Sequence, residues 1–272
     1  MSSADRYIHG YNAAEQNRLY DQARFLEDRV FDGVDFSSHH HVLEVGCGVG
    51  AQTELLLRRF PSLRVTGIDL SPAQIARAQH HFESLPELRD RCRFIVGDAA
   101  SLRPSPTDPF DGAYLCWILE HVPRPLELLT NLKHLLSSGS KICVAEVLNS
   151  NLHIHPHLPA LTRYWEAYNA LQQSLGGDPW IGAKLGDLLS RAGFSGVQVR
   201  PQPILHDCRD PEARDQMLAY WHELLLSASD NLLGRCMVQK SLIEQLEQEL
   251  RRLRQDPEAI FFYAFMKAEA RS

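Results

Sequence analysis

The sequence predicts an α/β protein built on an open, doubly wound sheet of mainly parallel strands. Three observations carry this. Short apolar runs alternate with stretches of helical period along the first half of the chain. The first run leads through Gly46, Gly48 and Gly50 into a helix-like segment, and the next two runs end at acidic residues, Asp69 and Asp98. Strands separated by helical connections pair in parallel through right-handed crossovers, and ligands of such sheets sit beyond the strands' carboxyl ends, where the strand order reverses.

Taken in order, Leu19, Ala23, Leu26 and Val30 recur at helical spacing and predict one amphipathic helix over 13–30. His41 to Val45 reads as a short buried strand and Ala51 to Arg59 as a helix that begins at the glycines. Leu63 to Ile68 is the second strand, followed by a helix capped by Ser71, with Pro72 in its first turn and Gln74 placed to bond back. A third strand ends at Gly97-Asp98, a fourth covers 111–116, a helix covers 125–136, and a fifth strand covers 141–148. A ligand site at the strand ends is therefore lined by 44–52, 69–74, 97–102, 115–121 and the chain from 146 onward.

The second half is less regular. A helix is expected over 160–175, a break at Gly176-Gly177-Asp178-Pro179, and a helix over 185–192 stopped by Gly193. Phe194 to His206 forms a sixth strand, interrupted or kinked at Pro201 and Pro203, and 259–270 a seventh. The long stretch between them, with helices near 211–227 and 238–254, exceeds any hairpin loop and reads as an inserted helical subdomain.

Composition narrows the function classes. A formal net charge of −6 over 272 residues leaves no basic footprint for a dedicated nucleic-acid binder. The amino-terminal stretch has no apolar signal core and no apolar run reaches membrane-spanning length, so a cytoplasmic protein without a membrane partner is expected. The 6 cysteines are scattered without a C-x-x-C pair, which favours reduced thiols over disulfides or zinc.

The glycine turn admits two cofactors. Gly46-x-Gly48-x-x-Ala51 fits the dinucleotide pattern, whereas Glu44-x-Gly46-x-Gly48-x-Gly50 fits a ligand without phosphate. A pyrophosphate would lie at the helix amino terminus, close to the Glu44 carboxylate. A cation suits that carboxylate better, and S-adenosylmethionine (SAM) supplies a sulfonium and an ammonium without phosphate. Asp69 can accept ribose hydroxyls from either cofactor, and Asp98 can accept from an adenine amino group. The combination outweighs the glycine loop alone.

On these motifs, together with Gly67-Ile68-Asp69, Gly97-Asp98-Ala99, Phe110-Asp111 and Leu119-Glu120-His121-Val122, residues 42–148 resemble the class I SAM-dependent methyltransferase family, in its small-molecule branch. The resemblance implies a Rossmann-like, seven-stranded sheet with helical lid insertions. Its last strand, Ile260 to Lys267, would be antiparallel between strands five and six. It implies SAM as cofactor and S-adenosylhomocysteine (SAH) as product. Gly46, Cys47 and Gly48 would pass under the methionine portion, with Cys47 a spacer rather than a nucleophile. Asp69 would hold the ribose and Leu70 flank the adenine. Asp98 and Ala99 would meet the adenine edge, and the backbone near Leu115 and Cys116 the methionine end. Glu44, Gln74 and Tyr11 complete the expected cofactor set, and no metal is expected.

Methyl transfer is an in-line displacement that needs alignment, exclusion of water and a deprotonated acceptor. His121 is the candidate general base, although a structural hydrogen bond is an equal reading. Glu146 either faces the pocket or is a buried, paired carboxylate. His153, His155 and His157 alternate as metal ligands can, but Pro156 and Pro159 mark a loop and no companion ligand is spaced with them. Trp165 and Tyr168 form an acceptor wall or ordinary packing, and Tyr7, Tyr11 and Tyr20 are placed to cover the cofactor.

The expected organisation is an amino-terminal helical lid (1–35), a SAM-binding core (36–150) and the rest of the sheet (151–272), whose insertions at about 151–180 and 207–257 cap the acceptor. The function read from this is methyl transfer to oxygen, nitrogen or carbon of a small molecule. A protein or RNA methyltransferase, or a SAM-binding protein without methyl transfer, stands as the alternative, and the sequence leaves a homodimer open.

Overall fold

The computed structural model describes residues 7–105 and 107–272; the first six residues of the expected lid lie outside it. Its sheet contains β1 (His41–Val45), β2 (Arg64–Asp69), β3 (Cys92–Val96), β4 (Phe110–Cys116), β5 (Leu136–Glu146), β6 (His153–His155), β7 (Ser195–His206) and β8 (Ile260–Arg271). The order is β3-β2-β1-β4-β5-β8-β6, with β7 on the other edge of β8. The first five strands are parallel to their neighbours and β8 is antiparallel between β5 and β7, as the resemblance implies. The order reverses between β1 and β4, which puts the switch point over the glycine turn.

The helices are α1 (Ala13–Phe25), α2 (Glu27–Phe31), α3 (Ala51–Arg59), α4 (Pro72–Glu83), α5 (Pro86–Arg89), α6 (Pro125–Leu135), α7 (Pro159–Ser174), α8 (Leu185–Arg191), α9 (Pro211–Leu226), α10 (Ser229–Gly234) and α11 (Lys240–Gln255). One apolar core lies between the sheet and α1, α3, α7, α9 and α11; a second lies between the other face and α6 and α8. Central β1 is buried at every position, as expected of a strand covered on both faces. In α11 the buried residues Leu242, Ile243, Leu246, Leu250 and Leu253 make one stripe, so the helical insertion docks on α7 and α9 through that face.

Four expectations need correction. The helix over 13–30 is two helices, broken at Leu26, because α2 turns to pack Val30 and Phe31 into the core. Pro201 and Pro203 neither interrupt nor kink β7, which pairs with β8 through both of them. β7 is an edge strand, and a proline whose nitrogen faces outward removes no ladder bond. The segment expected as a loop at 153–155 is a short strand instead: β5 covers only Met266 to Arg271 of β8, and β6 takes up Ile260 to Phe262 on the same edge. The sheet thus has eight strands, and His153 and His155 are exposed. Finally, the Gln74 side chain does not bond back to its own helix; its oxygen accepts from Gln16 Nε2 at 2.9 Å, although Ser71 does cap through Gln74 N–H.

No helix among the described residues is long and apolar enough to cross a membrane.

Candidate functional site

At the turn from β1 to α3, Gly46, Gly48 and Gly50 all adopt positive φ. A Cβ on Gly46 would stand 2.5 Å from the Ile118 side chain, so the turn can lie close under the strand ends only as glycine. Gly46 and Cys47 donate to the Ile68 carbonyl at 2.8 and 3.2 Å, and Gly48 N–H reaches Asp69 Oδ2 at 2.9 Å. The other Asp69 oxygen accepts from Ser71 N–H at 2.8 Å, which fixes the carboxylate at the end of β2. Burial raises the Asp69 pKa, and these two N–H groups oppose the rise. Glu44, buried in β1, accepts from Thr53 Oγ1 of α3; burial pushes its pKa to about 8. Asp98 caps the short turn Ala99–Ser101 by accepting from Ala100 N–H at 2.9 Å.

The turn after β4 is strained and braced. Trp117 has φ 54°, a region that costs an aromatic residue about 1–3 kcal/mol. Glu146, fully buried at the end of β5, accepts from the N–H groups of Ile118, Leu119 and Glu120 at 2.9, 2.7 and 3.3 Å. It does not line the cavity, so of its two sequence readings the buried, paired one holds. The same turn carries His121, half-buried and T-shaped to the Tyr7 ring with centroids 5.2 Å apart. Its Nδ1 has no partner among the described residues, and its Nε2 stands 3.7 Å from Glu120 Oε1. Burial lowers its pKa to about 4, so the imidazole is neutral at physiological pH.

The amino-terminal segment closes the site from above. Tyr20 donates to the Val49 carbonyl in the glycine turn at 2.6 Å, and Gln16 bridges to Gln74. Arg18 lies flat on Glu15, with Nε and Nη2 at 2.7 and 2.6 Å, while Tyr7 donates to the same carboxylate at 2.7 Å. His9 is buried between Ser227 and Tyr168. Because Ser227 Oγ already donates to the Leu224 carbonyl, it accepts from His9 Nδ1–H, which leaves Nε2 to accept from the Tyr168 hydroxyl.

These elements enclose one cavity of about 440 Å³, within the range of small-molecule sites. Glu44, Gly46, Cys47, Gly48, Asp69, Leu70 and Gln74 line it from the first two strand ends; Asp98, Ala99, Cys116 and His121 line it from the next two; Tyr11 lines it from the lid. Leu70 is 50% exposed, a flat apolar surface at the mouth. Leu115 does not line the cavity. Successive strand residues point to opposite faces, so with Cys116 toward the site Leu115 is fully buried in the core with α6. Tyr20 is likewise outside the lining, holding the lid to the glycine turn instead, while Tyr7 lines the cavity with Tyr11. His153, His155 and His157 are exposed and away from it, and no group of three or more potential metal ligands converges among the described residues.

Sequence reasoning missed His9 and Arg18, and it missed Tyr220, Trp221, Tyr263 and Phe265 from α9 and β8, all of which line the cavity. Their only local signal is aromatic content; what brings them together is the docking of the helical insertion.

Residues 43–144 match the methyltransferase domain family. Trans-aconitate 2-methyltransferase of Paracidovorax citrulli is 33% identical over 137 residues, 50% of this chain and 50% of that protein. Malonyl-[acyl-carrier protein] O-methyltransferase of a Paenibacillus species is 29% identical over 157 residues, 57% and 55% of the two chains. The chain thus spans about half the length of these relatives. In solved structures the fold is similar to that of Haemonchus contortus phosphoethanolamine N-methyltransferase 2 bound to phosphomonomethylethanolamine and SAH. The TM-score is 0.57 at 16% identity, covering 93% of this chain and 52% of that one. The open sheet with its antiparallel penultimate position, and the glycine turn flanked by strand-end acids, define a methyltransferase-type cofactor domain. Over residues 43–144 the chain carries a methyltransferase domain, and it is similar over about half its length to named methyltransferases.

Proposed function

We propose that this protein transfers a methyl group from SAM to a small-molecule acceptor. The observation that carries the reading is the ring of strand-end carboxylates, Glu44, Asp69 and Asp98, around a glycine turn whose cavity holds no free cation among the described residues. The two cations lining it, Arg18 and Arg124, are paired with Glu15 and Glu127. A pyrophosphate would meet carboxylates without a counter-ion there, whereas Glu44, protonated in the empty fold, ionises beside a cation, so a ligand bearing sulfonium and ammonium is favoured. The residues present fit SAM: the turn tolerates only glycine at 46 beneath Ile118, and Asp69 is already oriented by two N–H donors.

When bound, SAM supplies a methyl carbon activated by its sulfonium. Gly46 to Gly48 leave room for the methionine portion and Glu44 faces its ammonium. Asp69 accepts from the ribose, Leu70 covers the adenine, and Asp98 with Ala99 meets its edge. Cys116 borders the methionine end, and Gln74 and Tyr11 close over the cofactor. His121, neutral and without a hydrogen-bond partner, is the group placed to take the acceptor's proton. The lid segment and α9 exclude water.

A small acceptor is favoured over a protein or RNA because α1, α7 and α9 close over the cavity and the net charge is negative. The free cysteines suit a reducing, cytoplasmic setting. Calorimetric titration tests the cofactor: SAH binds and NAD gives no heat. Tight NAD binding without an SAH response overturns the reading, and label from methyl-labelled SAM appearing in a metabolite fraction completes the test.

A further inference from the structure

The half of the cavity facing away from the glycine turn is aromatic. Trp165, Tyr168, Tyr220, Trp221, Tyr263 and Phe265 line it from α7, α9 and β8. Trp165 stacks on Tyr168 with centroids 4.9 Å apart, and Trp221 meets Trp165 and Tyr263 edge-on at 5.7 and 5.0 Å. The polar handles of three of them are tied into the protein. Trp165 Nε1–H donates to the Asn149 carbonyl at 3.1 Å, the Tyr263 hydroxyl to Asn149 Oδ1 at 3.1 Å, and the Tyr168 hydroxyl to His9 at 3.1 Å. These three residues, with Phe265, therefore present ring surface rather than hydrogen-bonding groups.

Charge on this side is already balanced. Both Glu15 oxygens hold Arg18, whose Nη1 also reaches Gln22 at 2.6 Å. Glu120 accepts from Gln172 Nε2 at 2.5 Å, and burial holds its carboxyl toward the protonated form. Arg124 is an exposed rim residue paired with Glu127. A carboxylic acid entering here would lose its hydration without gaining a free cation among the described residues, a cost of several kcal/mol in such surroundings. Of the buried polar side-chain atoms without a partner among the described residues, the one on a cavity-lining residue is His121 Nδ1.

We propose that the acceptor is an uncharged, ring-bearing hydroxyl compound, a phenol or enol, that stacks on this aromatic wall and is methylated on oxygen, and that it is not a carboxylic acid of the kind named for the relatives. The inference rests on the methyltransferase reading. In the step it implies, a lone pair of the acceptor oxygen forms the bond to the methyl carbon and the methyl–sulfur bond breaks with its pair remaining on sulfur. The hydroxyl proton passes to His121 and then to water, so the products are a methyl ether, SAH and a proton.

The test titrates the full chain, saturated with SAH, with 2-naphthol, trans-aconitate and ethanolamine in a calorimeter, and in parallel follows label from SAM into the same compounds. The expected result is binding of 2-naphthol and formation of its methyl ether, with neither other compound competing. Trp165→Leu, which removes one stacking face, weakens 2-naphthol about 3- to 10-fold. Glu15→Gln, which releases Arg18 from its charged partner, shifts preference toward trans-aconitate by about tenfold or more. Tighter binding of trans-aconitate or ethanolamine than of 2-naphthol by the unmodified protein, binding of none of the three, or indifference of 2-naphthol to Trp165→Leu overturns the inference while SAH still binds. Failure of SAH itself to bind overturns the methyltransferase reading as well.

Discussion

At the scale of single residues, Glu44 is the group whose protonation a ligand changes most. Burial holds its pKa at about 8 in the ligand-free fold, and a cation beside it favours the ionised form. SAH affinity is therefore expected to rise with pH toward 8 and level off above it, by up to about tenfold per unit below. Titration calorimetry across that range checks this, and Glu44→Gln should remove the dependence. Asp69→Ala removes a carboxylate oriented by Gly48 and Ser71, and SAH binding should weaken by about 10- to 100-fold. His121→Ala should lower kcat by about 10²–10⁴-fold and leave SAH affinity within about twofold, since proton transfer is its proposed role. A parallel loss of SAH binding would reassign His121 to the cofactor side. The cavity-lining residues of the strand ends were readable in the sequence because each sits beside a local signal: a glycine, an Asx-type cap, or a serine cap. Leu115 was misplaced for an equally local reason, since reading a strand end does not say which of two adjacent residues faces the ligand.

At the scale of elements, the turn after β4 shows how one strand controls another's loop. Trp117 is held at positive φ, and the following N–H groups converge on a carboxylate supplied by β5. Glu146→Ala would leave these groups buried without an acceptor, and a loss of about 3 kcal/mol or more in denaturant unfolding is expected, with kcat falling as His121 shifts. The alternation of β1 to β5 with helices was legible because each strand's apolar run and each helix's period are properties of contiguous residues. The break at Leu26, the strand at His153–His155 and the continuity of β7 through two prolines were not. Each depends on what lies alongside: the core beneath α2, the unpaired start of β8, and the free outer edge of β7. The aromatic half of the cavity was illegible for the same reason, since its residues come from α7, α9 and β8 and meet only when α11 docks its leucine stripe.

For the whole molecule, the buried acids set the response to pH. Glu44 titrates near 8 in the fold against an ordinary value of 4.5, so the folded chain carries an extra proton between them. That stabilising proton is fully present below 4.5 and is lost as pH rises through about 8. Glu120 and Glu146, raised by burial, act in the same direction. Below about pH 6.5 His9 and His121, lowered by burial, act in the opposite direction, so the ligand-free protein should melt at progressively lower temperature from about pH 7 to 8, and Glu44→Gln should flatten the slope in a thermal scan. A melting temperature that rises over this interval would refute the assignment.

The central place of β8 has a consequence for biosynthesis. It is the last of the eight strands to leave the ribosome, yet it separates β5 from β7 and carries Lys267, whose Nζ holds the carbonyls of Val30 and Asp32 at the end of α2. Until residues 260–271 emerge, β5 presents a raw edge and the amino-terminal lid lacks its anchor, although every cofactor motif has already been translated. A nascent chain of this protein is thus complete in its recognition signals well before it can hold them in place.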